Sequence, residues 1–162
     1  MKFSSFSMIP SALILAAMLA LPSPGFAQIN ALSVAPPQKV SVKAGGTGEG
    51  VLTLQLREGY HVNSNAPADP YLIPLRLTWT PGSVEATAVE FPKPQSVKLG
   101  FSEKPVLIFS NTFGIVTKFK APANATPGLA LVTGKLRYQA CNDRMCLAPK
   151  TVDVTLPVEI VK

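Results

Sequence analysis

The sequence contains only two cysteines, Cys141 and Cys146, which are separated by four residues. Two thiols at this spacing can form a disulfide that either stabilises a loop or exchanges with the thiols of other proteins. Closing so small a ring removes only about 2 kcal/mol of chain entropy from the unfolded state. The spacing therefore favours redox chemistry over a structural cross-link. On the residues alone, the structural disulfide and two free thiols stay open as alternatives.

Few other residues have the type and spacing that chemistry requires. Between the cysteines, Arg144 would favour a thiolate and Asp143 would oppose it, so the loop charges do not decide a thiol pKa. A zinc site needs three or four ligands, and His61 is the only histidine. We interpret His61 as a half-buried polar residue at a strand end, and we expect neither a metal nor an organic cofactor.

The first 27 residues have the pattern of a secretory signal peptide. Lys2 precedes an apolar run over residues 8–21, and Gly25-Phe26-Ala27 supplies the small residues of a cleavage site. The run is short for a membrane span. We therefore expect cleavage near Ala27 and a periplasmic or secreted protein, in a compartment where a disulfide persists.

Composition limits the possible partners of the remaining 135 residues. The full chain has 15 Lys and Arg against 9 Asp and Glu, a net charge of +6, and the basic residues are scattered singly. Nucleic-acid binding needs a clustered basic surface, so the charge predicts a solvated surface and no nucleic-acid partner. The length suits one domain, predicted over residues 39–162 after a loose lead-in at residues 28–38.

Short strands are predicted along the mature chain. Apolar and polar residues alternate with a period of two, which turns one row of side chains toward a core. This alternation is clear over residues 52–57, 75–80, 135–140 and 151–156, and further strands are expected near residues 40, 84–91, 106–109 and 113–119. Sixteen prolines and eleven glycines interrupt the full sequence, and no amphipathic helix is predicted after the signal peptide.

Seven to nine such strands, divided by turns such as Pro81-Gly82 and Pro127-Gly128, predict an all-β fold. The spacing is typical of an immunoglobulin-like antiparallel β-sandwich. Trp79 is expected to be its largest core residue. The cysteines follow one clear strand and precede another, so we expect a hairpin in which Cys141 leaves a strand and Cys146 lies in the loop. Such a sandwich would present the pair at its rim.

The cysteine segment resembles a known family. Tyr138-Gln139-Ala140-Cys141, followed by Cys146-Leu147-Ala148-Pro149, is similar to the active-site segment of the N-terminal periplasmic domain of DsbD, the bacterial thiol:disulfide interchange protein. Residues 59–65 with 69–74, and residues 91–94 with 100–109, resemble further parts of that domain. The resemblance covers roughly residues 35–160.

The resemblance implies an immunoglobulin-like fold and a role as an electron relay. In this family a membrane-embedded domain reduces the cysteine pair, which then reduces periplasmic thioredoxin-like or disulfide isomerase proteins. Carried over, Cys146 would form the mixed disulfide with substrates and Cys141 would resolve it. The family shields its cysteine pair with a cap loop that carries an aromatic residue. Phe101 is the only aromatic residue between Phe91 and Phe109, so the resemblance makes it the candidate for this role.

The sequence departs from the family pattern in two respects. Better-known members have five residues between the cysteines instead of four, which alters the loop without preventing a disulfide. The sequence also ends at Lys162 without a membrane domain or a thioredoxin domain, so we expect the electron donor on a separate chain. The resulting hypothesis is a thiol:disulfide oxidoreductase module. The alternative is a non-catalytic β-sandwich binding module whose disulfide only stiffens a loop.

Overall fold

A computed structural model of the chain describes residues 30–100, 102 and 104–162. The predicted signal peptide with its cleavage site at Ala27, and the proposed shielding residue Phe101, lie outside the described residues. The described part contains twelve strands. They are β1 (Leu32–Val34), β2 (Val40–Lys43), β3 (Thr47–Leu56), β4 (His61–Asn63), β5 (Arg76–Trp79), β6 (Glu85–Glu90), β7 (Gln95–Val97), β8 (Val106–Ser110), β9 (Thr112–Lys120), β10 (Gly128–Tyr138), β11 (Ala140–Cys141) and β12 (Lys150–Val161).

The strands form three four-stranded sheets, in the orders β1-β3-β9-β6, β2-β12-β10-β5 and β11-β4-β8-β7. The first two sheets pack face to face and enclose the core. Trp79 on β5 joins them, because its indole Nε1 donates a hydrogen bond of 3.0 Å to the Thr117 hydroxyl on β9 and its ring meets the edge of Phe119. The protein is therefore an immunoglobulin-like β-sandwich, as the strand pattern predicts.

The core consists of two clusters of alternating inward-facing residues. One cluster is built around Leu52 and Leu54 of β3 and Leu136 and Tyr138 of β10. The other lies at the opposite end of the long strands around Phe119 and includes much of β2 and β12. Such burial removes roughly 1.5–3 kcal/mol of unfavourable hydration per large apolar side chain.

The prediction for the largest core residue is wrong. Tyr138 and Phe119 are the largest fully buried side chains, whereas Trp79 is only partly buried and packs against both clusters. Its position on β5, which lies at the end of its sheet, accounts for the exposed part of the ring.

The structure has more strands than the seven to nine expected. The additional ones, β1, β4, β7 and β11, contain only two or three residues, which is too short for an alternation to be recognised. Strand β1 lies inside the expected lead-in at residues 28–38 and pairs with β3, with Leu32 in the core. Not every pair is antiparallel, because β2 joins β12 in parallel.

The third sheet carries the cysteines. It begins with β11, which directly follows the long strand β10, and continues through β4 and β8. Among residues 30–100, 102 and 104–162, no helix is long and apolar enough to cross a membrane.

Candidate functional site

Cys141 and Cys146 form a disulfide that closes the turn between β11 and the start of β12. Their Cα atoms are 3.9 Å apart. The two residues differ sharply in burial, because Cys141 is 1% exposed whereas Cys146 is an exposed residue. The expectation that the pair lies together at the surface is thus met by Cys146 alone. An incoming thiol can approach the disulfide from the side of Cys146.

The tip of the turn is fixed by the side chain of Asn142. Its Oδ1 accepts hydrogen bonds from the backbone N–H groups of Arg144 (2.9 Å) and Met145 (2.8 Å). The Asn142 N–H in turn donates to the Met145 carbonyl at 2.9 Å. Asparagine commonly forms such turns, since its short amide side chain reaches the backbone two residues ahead. This residue sets the path of the chain between the cysteines.

The base of the turn is held by two further hydrogen bonds. The Leu147 N–H donates to the Ala140 carbonyl at 2.8 Å, and the Gln139 side-chain amide donates to the Leu147 carbonyl at 3.0 Å. Beyond this point, Tyr138 and Lys150 are opposite each other in the β10–β12 ladder. The predicted hairpin is therefore confirmed, with Cys141 at the end of a strand and Cys146 in the connection.

The disulfide belongs to a row of four residues that crosses the third sheet in register. Cys146 is opposite Cys141, Cys141 is opposite His61 on β4, and His61 is opposite Ser110 on β8. Side chains of directly opposed residues lie on the same face, with Cβ atoms about 4.5–5.5 Å apart in antiparallel pairs. His61 is thus the cross-strand neighbour of the buried sulfur.

His61 is more buried than its sequence context indicates. The residue is 7% exposed instead of half-buried, and burial lowers the pKa of its imidazole below the usual value of about 6.5. Among the residues that the structure describes, its Nε2 atom has no hydrogen-bond partner. A buried imidazole with an unpartnered nitrogen therefore lies beside the disulfide.

The opposite face of the third sheet packs into the core. Val62, Phe109 and Ala140 form the neighbouring row and belong to the first core cluster. The ring of Phe109 stacks between Phe91 and Phe113, with centroids 6.3 and 4.9 Å away. This packing supports the short strands β4 and β11 from below and places the cysteine row on the outer face.

Part of that outer face is covered by the segment from Ser64 to Leu75. The Asn63 side chain donates to the Ile73 carbonyl at 3.0 Å, and the Ser64 N–H donates to the Leu107 carbonyl at 2.8 Å. Residues 68–70 and Leu72 then line a groove of about 400 Å³ with Ser102 and residues 104–106. Asn63 is thus buried by this segment and Val62 by the core, so β4, in which His61 is also buried, shows no alternation.

The electrostatic surroundings of the disulfide are mixed. Asp143 and Arg144 are both exposed at the turn, so their opposite charges are screened by solvent. Within the described ranges, no group of three or more His, Cys, Asp or Glu residues is placed to hold a metal ion.

Fold and site together define a β-sandwich domain with a short-range disulfide at one end of a small third sheet. The family model "Thiol:disulfide interchange protein DsbD, N-terminal" matches residues 30–157. The chain belongs to this family, and a thiol–disulfide interchange module fits both the family and the disulfide. No curated protein matches the chain.

Two solved structures are similar to this chain. One is the N-terminal periplasmic domain of ScsB from Proteus mirabilis, with 14% identity, a TM-score of 0.50, and coverage of 73% of this chain and 42% of that one. The other is the reduced N-terminal domain of DsbD from Neisseria meningitidis, with 16% identity, a TM-score of 0.48, and coverage of 78% and 84%. The chain therefore spans less than half the length of the ScsB structure.

Two residues of the site were missed as site residues by the sequence interpretation. Asn142 carries a recognisable turn signal, since Asn directly after a strand favours a turn. The sequence indicates His61 only as a polar residue at a strand end, because its position beside Cys141 depends on the pairing of β4 with β11, between residues 78 or more positions apart in the chain. No local pattern reports a pairing over that distance.

Proposed function

We propose that this protein is an exported thiol:disulfide interchange module that relays electrons through Cys141 and Cys146. The observation that carries the proposal is the pairing of a buried with an exposed cysteine in one disulfide. Exchange requires one sulfur that a partner can reach and a second that remains in place to resolve the intermediate. Membership of the DsbD N-terminal family supports the same assignment.

The delivery of electrons proceeds in two exchange steps. In the reduced protein, the Cys146 thiolate attacks the disulfide of a substrate, which breaks that S–S bond and forms a mixed disulfide. Cys141 then attacks the Cys146 sulfur, closes the Cys141–Cys146 bond and releases the substrate dithiol. Two electrons and two protons pass to the substrate. Reduction by a donor dithiol is the same sequence in reverse, again through Cys146.

The hydrogen bonds of the turn suit a site that must work in both redox states. Asn142 and Leu147 hold the turn through contacts that do not involve either sulfur. The loop therefore keeps its path when the disulfide is reduced, and the two thiols stay close enough to re-form it. Five hydrogen bonds already hold this turn, so it does not need the disulfide as a structural cross-link.

The partners proposed follow from the family and from the exposed surface. Electrons would come from a membrane-embedded donor on a separate chain and pass to periplasmic thioredoxin-like or disulfide isomerase proteins. Met145, which is 57% exposed and adjacent to Cys146, offers an apolar contact for such a partner. Shielding of the disulfide by Phe101 remains part of this proposal, as does removal of the signal peptide near Ala27.

A trapping experiment tests the roles of the two cysteines. Reduced Cys141→Ala protein is mixed with a thioredoxin-fold protein that keeps only its exposed active-site cysteine, activated as a disulfide with thionitrobenzoate, and the mixed disulfide is detected by mass spectrometry of the intact adduct. We expect the adduct to accumulate through Cys146, because thionitrobenzoate leaves and neither protein then carries a second active-site thiol that can release the other. Cys146→Ala is the matched control and should form little adduct.

The other outcomes separate the alternatives. Trapping by Cys146→Ala alone would reverse the two roles. If neither variant forms an adduct and the double alanine variant keeps its partner binding, the disulfide is structural and the protein is a β-sandwich binding module.

A further inference from the structure

We propose that His61 is a positioning residue of the redox site, whose Nε2 accepts a hydrogen bond from the thiol of Cys141 when the disulfide is reduced. This inference rests on the proposed function, because it concerns the reduced form of the same cysteine pair. It begins from the in-register row in which His61 lies directly opposite Cys141.

The first argument is the unpartnered nitrogen. His61 is more than nine-tenths buried, and its Nε2 forms no hydrogen bond with any residue in the described ranges. Leaving a buried polar atom without a partner is unfavourable, and such atoms in native structures call for an explanation. The described state is the disulfide form, in which the Cys141 sulfur carries no hydrogen to donate.

The second argument is that the other polar neighbours are already engaged. Ser110, on the far side of His61 in the row, donates its hydroxyl hydrogen to Gln95 Oε1 at 3.1 Å. The Asn63 side-chain amide, two residues along β4, donates to the Ile73 carbonyl. Cys141 is therefore the in-register neighbour that gains a donor when the redox state changes.

The chemical step balances with a partner dithiol as the reductant. The dithiol loses two electrons and forms its own disulfide, while the Cys141–Cys146 bond accepts those electrons and breaks. The two protons of the dithiol finish on the Cys141 and Cys146 sulfurs. The Cys141 S–H then donates to His61 Nε2, which stabilises the reduced form relative to the disulfide.

The test compares His61→Phe with wild-type protein. Phenylalanine keeps a buried ring of similar size but has no acceptor. The equilibrium constant for reduction of the pair is measured in glutathione buffers at pH 7. We expect His61→Phe to lower this constant about tenfold, which corresponds to about 30 mV for a two-electron couple. His61→Gln, which retains an acceptor oxygen, should stay within about threefold of wild type.

Val158→Ala is the matched control for loss of packing, because Val158 is buried in the second core cluster, away from the strands that carry the cysteine row. It should lower stability while leaving the redox equilibrium constant within about twofold of wild type. A comparable fall in Val158→Ala, or an unchanged constant in His61→Phe, would overturn the assignment of His61.

A measurement on the wild-type protein covers the case in which His61→Phe does not fold. The ¹⁵N chemical shift of His61 Nε2 should differ between the oxidised and reduced protein, and an identical shift in both states would refute the hydrogen bond. A failure of the proposed function can be distinguished from a failure of this inference, because in that case the wild-type disulfide would not exchange with dithiols at all.

Discussion

At the scale of single residues, the two cysteines of the site differ in burial, and this difference gives them different roles. Cys141 is held in a strand and covered, whereas Cys146 lies at the surface of the turn. His61, opposite Cys141, is buried as well, and this burial lowers the pKa of its imidazole. A polar group beside a buried sulfur is costly to a fold, which is consistent with a role in function.

The burial of His61 predicts a loss of stability in mild acid. Its folded pKa lies below the unfolded value of about 6.5, so between these two values the unfolded chain binds a proton that the folded protein does not. The free energy of unfolding should therefore fall as the pH drops below about 6.5, by at most about 1.4 kcal/mol per pH unit from this residue. Urea titrations at pH 7.5 and pH 5.5 measure the effect.

His61→Gln is the control for this titration, because glutamine does not ionise in that range. Its unfolding free energy should change less between the two pH values than that of wild type. Equal changes in both proteins would show that another group is responsible.

At the scale of elements, the site is assembled from short strands that depend on longer ones. β4 and β11 have three and two residues, and they are positioned because Val62 and Ala140 pack into the core beneath them. The turn that follows is held mainly by Asn142. The long strands, in contrast, can be recognised in the sequence from their alternation of apolar and polar residues.

This contrast explains what the sequence predicts and what it does not. β3, β10 and β12 contain nine or more residues, so their apolar period is evident, and the hairpin between β10 and β12 follows from their order. β4 is buried on both faces and has no period. Its pairing with β11 is a tertiary contact, so the neighbourhood of His61 and Cys141 could not be predicted.

Removal of the Asn142 side chain should loosen the turn. Asn142→Ala loses the acceptor for two backbone N–H groups at the tip, which should lower the free energy of unfolding by about 1 kcal/mol because these groups are exposed and regain water. Denaturant unfolding of the reduced protein measures the loss without the contribution of the disulfide.

Asn142→Asp is the matched variant, since its carboxylate retains an oxygen at the same position. It should keep most of the stability that Asn142→Ala loses. If the two variants are equally destabilised, the acceptor oxygen is not what fixes the turn.

At the scale of the whole molecule, the sandwich supplies a rigid support on which one small sheet carries the chemistry. The two large sheets are joined across the core by apolar packing and by the hydrogen bond from Trp79 to the fully buried Thr117. Neither of these residues belongs to the cysteine row. Stability of the sandwich and exchange at the disulfide should therefore be separable.

Trp79→Phe tests this separation. The substitution leaves the Thr117 hydroxyl without its donor in the core and reduces packing against Phe119, so the free energy of unfolding should fall by about 1–3 kcal/mol. The reduction potential of the cysteine pair should stay unchanged. Thr117→Val removes the other partner, and a double-mutant cycle isolates the hydrogen bond itself. A potential that moves with stability in these variants would show that sandwich and site are coupled.

The central claim is that the Cys141–Cys146 disulfide exchanges with partner thiols, and its reduction potential tests this most directly. The measurement is equilibration of the protein at pH 7 in dithiol buffers of known potential, with the reduced fraction determined by thiol alkylation and mass spectrometry. We predict a value above about −300 mV, in the range of disulfides that exchange with biological dithiols. A value below about −300 mV, typical of inert structural disulfides, would contradict the account.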